Sequence, residues 1–342
     1  MLITLVDDSI PYNGTTPSYQ PLGGAEKAFA SLPAALARCG HVVRAITRAP
    51  HALSIDNVSW LNFDGRIPPI TEVLIALRKP SLLETTRATN SRILWVPGPT
   101  GYLGRHEVLD LLERNDAKIV LQGITHVEKY DVESELSYRA ITPGVREEYR
   151  EAEEMQPAKT PIAIVTTHPK QGLDWLLDLW CAKIEPQVKG AELHVYSAMF
   201  RNAEDGQPVA DDVKPVWDKV VAAHEQGVRV KAPAGDNDMA RHYRYASVHL
   251  YPGSEKEMYC STLAESQAVG VPAVARPMGA VKERIIDEQT GFLAEDDDSF
   301  VKNAVKMLSD IEARDRVSEL ARRYGNVRSW DTAAREFETL FR

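Results

Sequence analysis

Short apolar runs and stretches with helical spacing alternate along most of the chain. Residues 1–6 form a compact apolar run ended by Asp7 and Asp8. A polar loop follows, closing on Leu22-Gly23-Gly24. From Ala25 the period changes: Ala28, Phe29, Leu32, Ala35 and Leu36 recur at helical spacing until Gly40, a natural stop. Residues 41–47 (HVVRAIT) then read as a second strand, completing a strand–helix–strand unit that calls for a parallel sheet. Further strands are expected at 92–96, 118–121 and 139–142.

The alternation resumes after a polar stretch at 150–160 (REAEEMQPAKT), which has no apolar period and reads as a linker. Strands are expected at 162–166, 192–196, 228–230, 248–251 and 273–275. Helices are expected at 173–184, 263–269, 281–286, 300–308 and 314–324, with a last amphipathic one at 331–341. Two successive doubly wound α/β domains follow from this order, divided at 155/156. Ligands of such sheets sit beyond the carboxyl ends of the strands, and two domains also make a cleft available.

Composition narrows the class. A length of 342 residues fits two domains. The formal charge is −9, spread over two mildly acidic halves, which argues against nucleic acid as a partner. Contact with an anionic membrane surface through a local basic patch stays open. Cys39, Cys181 and Cys260 are far apart and offer neither a redox pair nor a zinc set. The first residues lack a basic leader and no apolar run reaches membrane-spanning length, so a cytoplasmic chain is expected.

Candidate chemistry concentrates in residues 251–293. Glu257 and Glu265 stand eight positions apart across a loop-to-helix junction, with Tyr259 between them. Gly270-Val271-Pro272, Gly279-Ala280, Glu283 and Thr290-Gly291 follow in order. This constellation resembles the E-x7-E region of family 4 retaining glycosyltransferases with the GT-B architecture, in which two Rossmann-like domains face each other across a cleft. The resemblance implies a C-terminal sugar-nucleotide domain at 156–328. It also implies an N-terminal acceptor-side domain at 1–155 and a terminal helix at 329–342 that crosses back to it.

By the same resemblance Glu265 holds the ribose hydroxyls and Glu257 faces the donor sugar and its leaving diphosphate. The loop residues Met258, Tyr259, Cys260 and Ser261 lie along the donor, and Glu283 closes the motif. A carboxylate suits a ribose diol because it accepts two charge-assisted hydrogen bonds. Amides at Gly279 and Ala280, at the start of a helix, would face the diphosphate. Each residue has a plainer reading. Thr262-x-x-Glu265 satisfies a capping box, Glu283 would stabilise the first turn of its helix, and Glu257 fits a solvated loop.

Gly23 and Gly24, before the first helix, resemble the family's glycine-rich loop and offer amides to an anion. The family usually places a basic residue near the start of the second domain. Here 167–174 reads THPKQGLD, with Gln171 at that place and Lys170 one position early. Lys170 is therefore the candidate cation and, with Glu257, the candidate catalytic pair. Asp236-Asn237-Asp238 mimics a metal motif, but its place before a helix favours capping. No metal and no cofactor are expected.

The implied activity is transfer of a hexose-type sugar from a nucleoside diphosphate sugar to a hydroxyl of a glycan, a lipid-linked or a small-molecule acceptor. The rivals are a catalytically weak sugar-nucleotide-binding partner protein and an epimerase or phosphorylase on the same architecture.

Overall fold

The computed structural model describes residues 1–64, 67–132, 135–153, 158–325 and 327–342. They divide into two units, Met1–Arg146 with Arg328–Arg342, and Glu147–Val327.

The first unit is built on an eight-stranded sheet in the order β3-β4-β2-β1-β5-β6-β7-β8. Its strands are β1 (Leu2–Val6), β2 (Val42–Thr47), β3 (Leu53–Ile55), β4 (Val58–Asn62), β5 (Val73–Leu77), β6 (Ser91–Trp95), β7 (Lys118–Leu121) and β8 (Tyr138–Ala140). All pairings are parallel except β3 with β4. Helices and loops cover both faces, so central strands are apolar on both sides, and every residue of β5 (VLIAL) is buried.

The chain's last helix, Trp330–Glu338, completes one of these faces. Trp330 and Phe337 are buried and meet the ring of Trp95 edge-on at 6.3 and 5.3 Å. Around them, Arg38 pairs with Asp331 at 2.6 Å and Lys118 donates to the carbonyl of Leu340 at 2.7 Å. Gly144 lies against the backbone of Ser329 and Trp330, where a Cβ would come within 2.5 Å of the Trp330 nitrogen. Val145 N–H donates to Arg328 O at 2.9 Å, so the departing and returning chain run side by side.

The second unit carries a six-stranded, wholly parallel sheet in the order β11-β10-β9-β12-β13-β14. Its strands are β9 (Ile162–Val165), β10 (Glu192–Tyr196), β11 (Val228–Lys231), β12 (Val248–Tyr251), β13 (Ala273–Ala275) and β14 (Gly291–Leu293). Winding starts at β9, runs outward to β11, then returns to β12 on the other side. The direction therefore reverses between β9 and β12, where open α/β sheets bind their ligands.

The sequence reading divides the chain at 155/156, within a linker at 150–160. Residues 154–157 of that linker lie outside the described residues. By packing, the second unit already begins at Glu147, because Tyr149 in the short helix Glu147–Arg150 is fully buried in it. The helix expected at 281–286 is instead a short 3-10 segment, Gly279–Glu283. Strands β3, β4, β5 and β14 were not anticipated.

Candidate functional site

The carboxyl edge of the second sheet gathers most of the candidate residues. Lys170 lies in the loop after β9, Glu257 to Cys260 in the loop after β12, and Gly279, Ala280 and Glu283 after β13. Glu265 lies on the helix Ser261–Val269 that follows the β12 loop. Gly23 and Gly24 belong to the first unit.

The helix Ser261–Val269 starts at Cys260, which acts as its N-cap in the left-handed conformation (φ 59°) and uses no side-chain cap. Glu265 therefore stands on the second turn rather than at the third helical position, and the capping box with Thr262 does not form. Glu265 is 7 % exposed. The carboxylate is close enough to Tyr149 and Tyr243 to help raise both phenol pKa values, whose main cause is burial. Asp236, fully buried, accepts the Tyr149 hydroxyl at 2.6 Å. The two tyrosine rings lie 6.0 Å apart. Two acids and two phenols thus share one buried cluster beside the loop that follows β11.

This arrangement corrects the role given to the Asp-Asn-Asp run. The N-cap of the helix Asp236–Tyr245 is Gly235, so neither acid caps it. Asp236 binds Tyr149, and Asp238 pairs with Arg241 on the helix surface. Among the described residues no group of three or more His, Cys, Asp or Glu is placed to hold a metal ion.

Beneath Glu265, His249 on β12 bridges Thr166 Oγ1 (3.1 Å) and Ser266 Oγ (2.8 Å). Complete burial pushes this imidazole down to about 3, so it stays neutral and fixes β9, β12 and the Glu265 helix together.

Glu257 is half-buried, and its carboxylate engages the Tyr251 hydroxyl and the Cys260 thiol. Burial is the main cause that raises the pKa of both groups, followed by Glu257 for Cys260, and by Cys260 and then Glu257 for Tyr251. The Glu257 carbonyl accepts from Ala280 N–H at 3.0 Å. That bond takes one of the two amides expected to face a diphosphate. Gly279 has φ 56°, and a Cβ there would stand 2.4 Å from Ser254 O and 2.7 Å from Glu257 O. The close approach that requires glycine is therefore to the neighbouring loop, a role the sequence reading gave to the ligand. Glu283 ends this segment at 3.5 Å from Arg284, whose guanidinium lies 4.8 Å over the Tyr259 ring. Met258 and Tyr259 are buried and Ser261 half-buried.

After β9, Gln171 folds back within its own turn, where its side-chain oxygen accepts from His168 N–H at 3.2 Å. Lys170 is exposed and forms an ion pair with Asp212. In the first unit Gly23 is the N-cap of the helix Gly24–Arg38, and a Cβ on it would lie 2.5 Å from a Glu26 carboxylate oxygen. Glu26 is paired with Arg78 at 2.6 Å, so a carboxylate of the protein itself lies against this turn. Arg276 was not anticipated, although a basic residue directly after a buried strand (AVAR) at a carboxyl edge is a readable signal. Tyr149, in a polar run, carried none.

Residues 160–310 match the family described as Glycosyl transferases group 1. The D-inositol 3-phosphate glycosyltransferase of Xylanimonas cellulosilytica is 33% identical over 118 residues, 33% of this chain and 28% of that protein. The aligned part is thus less than a third of the relative's length. Among solved structures, sucrose-phosphate synthase from Thermosynechococcus elongatus superposes with a TM-score of 0.70 at 15% identity, covering 99% of this chain and 98% of that one. Anabaena HepE, solved in complex with UDP-glucose, gives 0.71 at 14% identity with 99% and 98% covered. Two parallel-sheet units on the GT-B plan, with the group 1 glycosyltransferase match centred on the second sheet and its carboxyl-edge loops, identify the chain as similar to the family 4 type.

Proposed function

We propose that the protein is a retaining, metal-independent glycosyltransferase that moves a hexose-type sugar from a nucleoside diphosphate sugar to an acceptor hydroxyl. The observation that carries this reading is the buried Glu265 at the switch point of the second sheet, within the matched region, beside Asp236 and two phenols. A carboxylate held there accepts both ribose hydroxyls of a nucleotide. HepE was solved with UDP-glucose, which makes this the first donor to test.

In the proposed reaction the bond between the sugar's anomeric carbon and the diphosphate oxygen breaks. The diphosphate leaves with the electron pair, and the acceptor hydroxyl adds on the same face while passing its proton to the departing diphosphate oxygen. Glu257 borders the donor sugar. Lys170 supplies a mobile cation for the departing charge, since an exposed ion pair such as Lys170–Asp212 is worth little in water and is readily exchanged.

The test is incubation of the purified protein with UDP-, GDP- and ADP-hexoses in EDTA, reading nucleotide release and the anomeric configuration of any product by NMR. Release that survives EDTA with an axial-to-axial outcome is expected. Dependence on manganese or an inverted product would refute the metal-independent or the retaining part respectively. A second reading, sugar-nucleotide binding without transfer, draws on Gln171 in place of a cation, and would appear as tight binding with no turnover.

A further inference from the structure

The loops that carry Lys170, Glu257 and Gly279 come from different strands, and one guanidinium lies among all of them. Arg276, the first residue after β13, donates through Nε to the carbonyl of Pro252 at the start of the β12 loop. One of its terminal nitrogens lies 2.8 Å from the place a Cβ on Gly172 would occupy. Gly172 has φ 82° and ends the turn that presents Lys170 and Gln171. The guanidinium carbon sits 4.2 Å over the ring of Trp175 in the next helix, Leu173–Leu179. Trp175 is fixed in turn, donating to Asp297 at 2.9 Å and meeting Phe300 edge-on at 4.9 Å. On the backbone side, Arg276 O lies 3.0 Å from where a Gly253 Cβ would be, so β13 and the β12 loop also meet main chain to main chain.

We propose that Arg276 is the positioning residue of the diphosphate half of the donor site. It joins the turn after β9 to the loop after β12, and so sets the spacing between Lys170 and Glu257 in a chain where Gln171 replaces the usual cation. A planar guanidinium suits this task because it can bond one carbonyl, stack on an indole and fill the space beside a glycine at once, which an ammonium cannot. Its surroundings hold its pKa below the ordinary value mainly through burial, while Asp297 and Asp174 favour the charge. Among the described residues the side-chain partners of Arg276 are Pro252 and Trp175, neither of which belongs to the Glu265, Asp236 and Tyr149 group. Its effect is therefore confined to the phosphate side.

This inference rests on the donor-site reading above and is tested on the full chain with Arg276→Met and Arg276→Lys. Calorimetric titrations with UDP, GDP and ADP are compared with titrations of the matching nucleosides, beside thermal melts. The expected result is a loss of diphosphate affinity of about tenfold in Arg276→Met, as for one strong polar contact, with nucleoside affinity within about twofold of wild type. Arg276→Lys, which keeps a cation over Trp175 but not the Nε donor, falls between. Equal losses for diphosphate and nucleoside, or no loss in either variant, would overturn the inference. Should Arg276→Met fail to fold, the same comparison is read from Arg276→Lys. A wild type that binds none of the diphosphates overturns the donor-site reading and this inference together, whereas wild-type binding with unaffected variants overturns only the latter.

Discussion

Glu265 shows how much a single side chain depends on where its helix begins. Two roles were open to it from the sequence, ribose holder and partner of Thr262 in a capping box. The start at Cys260 removes the second, because Thr262 then lies inside the helix and Glu265 stands two positions beyond the third helical place a capping box needs. What remains is a nearly buried acid beside Tyr149, Tyr243 and Asp236. On the proposed reading a carboxylate in that place suits a nucleotide diol, from which it can accept two charge-assisted hydrogen bonds. Glu265→Ala should weaken nucleoside and nucleoside diphosphate binding alike, by on the order of 1.5–3 kcal/mol, the range for hydrogen bonds to a charged group. Calorimetric titration checks it, and unchanged affinity would remove Glu265 from the site. Cys260 carries a separate cost at the same junction. A non-glycine residue with φ 59° stores backbone strain, and such strain tends to collect where loops serve a site.

Loops and turns, more than strands, decided what could be read beforehand. Strands β9 to β13 and the long helices were legible because buried parallel strands are short apolar runs and their covering helices repeat at a regular period. β5 escaped although all its residues are apolar, since it lies between irregular stretches with no helical period on either side to frame it. The site loops were legible as motif and misleading as geometry. The resemblance placed Gly279 and Ala280 against a ligand, yet the structure packs both on the neighbouring loop, Gly279 beneath Ser254 and Ala280 bonded to Glu257. Spacing along a chain does not state which backbone a glycine lets in. A direct consequence is testable: Gly279→Ala puts a methyl into two carbonyl oxygens at a positive φ, and should lower stability by about 1–3 kcal/mol. The thermal melt of the variant measures this, and an unchanged melting temperature would mean that the two loops are not locked together.

At the scale of the whole molecule, the first unit is completed by the end of the chain. Trp330, Phe337 and Phe341 belong to the same buried cluster as Trp95 and β1, although more than half the sequence separates them. Removing a buried tryptophan or phenylalanine costs roughly 3–5 kcal/mol each, and a domain's whole stability is only about 5–15 kcal/mol. A chain truncated after Ser329 should therefore lose the melting transition of the first unit while keeping that of the second, which calorimetry on the two forms would resolve. Retention of both transitions would show the helix to be dispensable. The side-by-side run at Val145 and Arg328 has a consequence for the living cell as well. During synthesis residues 147–327 emerge with all they need to fold, while the part made before them waits with its tryptophan-lined face open until residues 330–341 have also emerged. Maturation of this polypeptide thus runs from the inside of its sequence outward, the discontinuous unit closing after the continuous one.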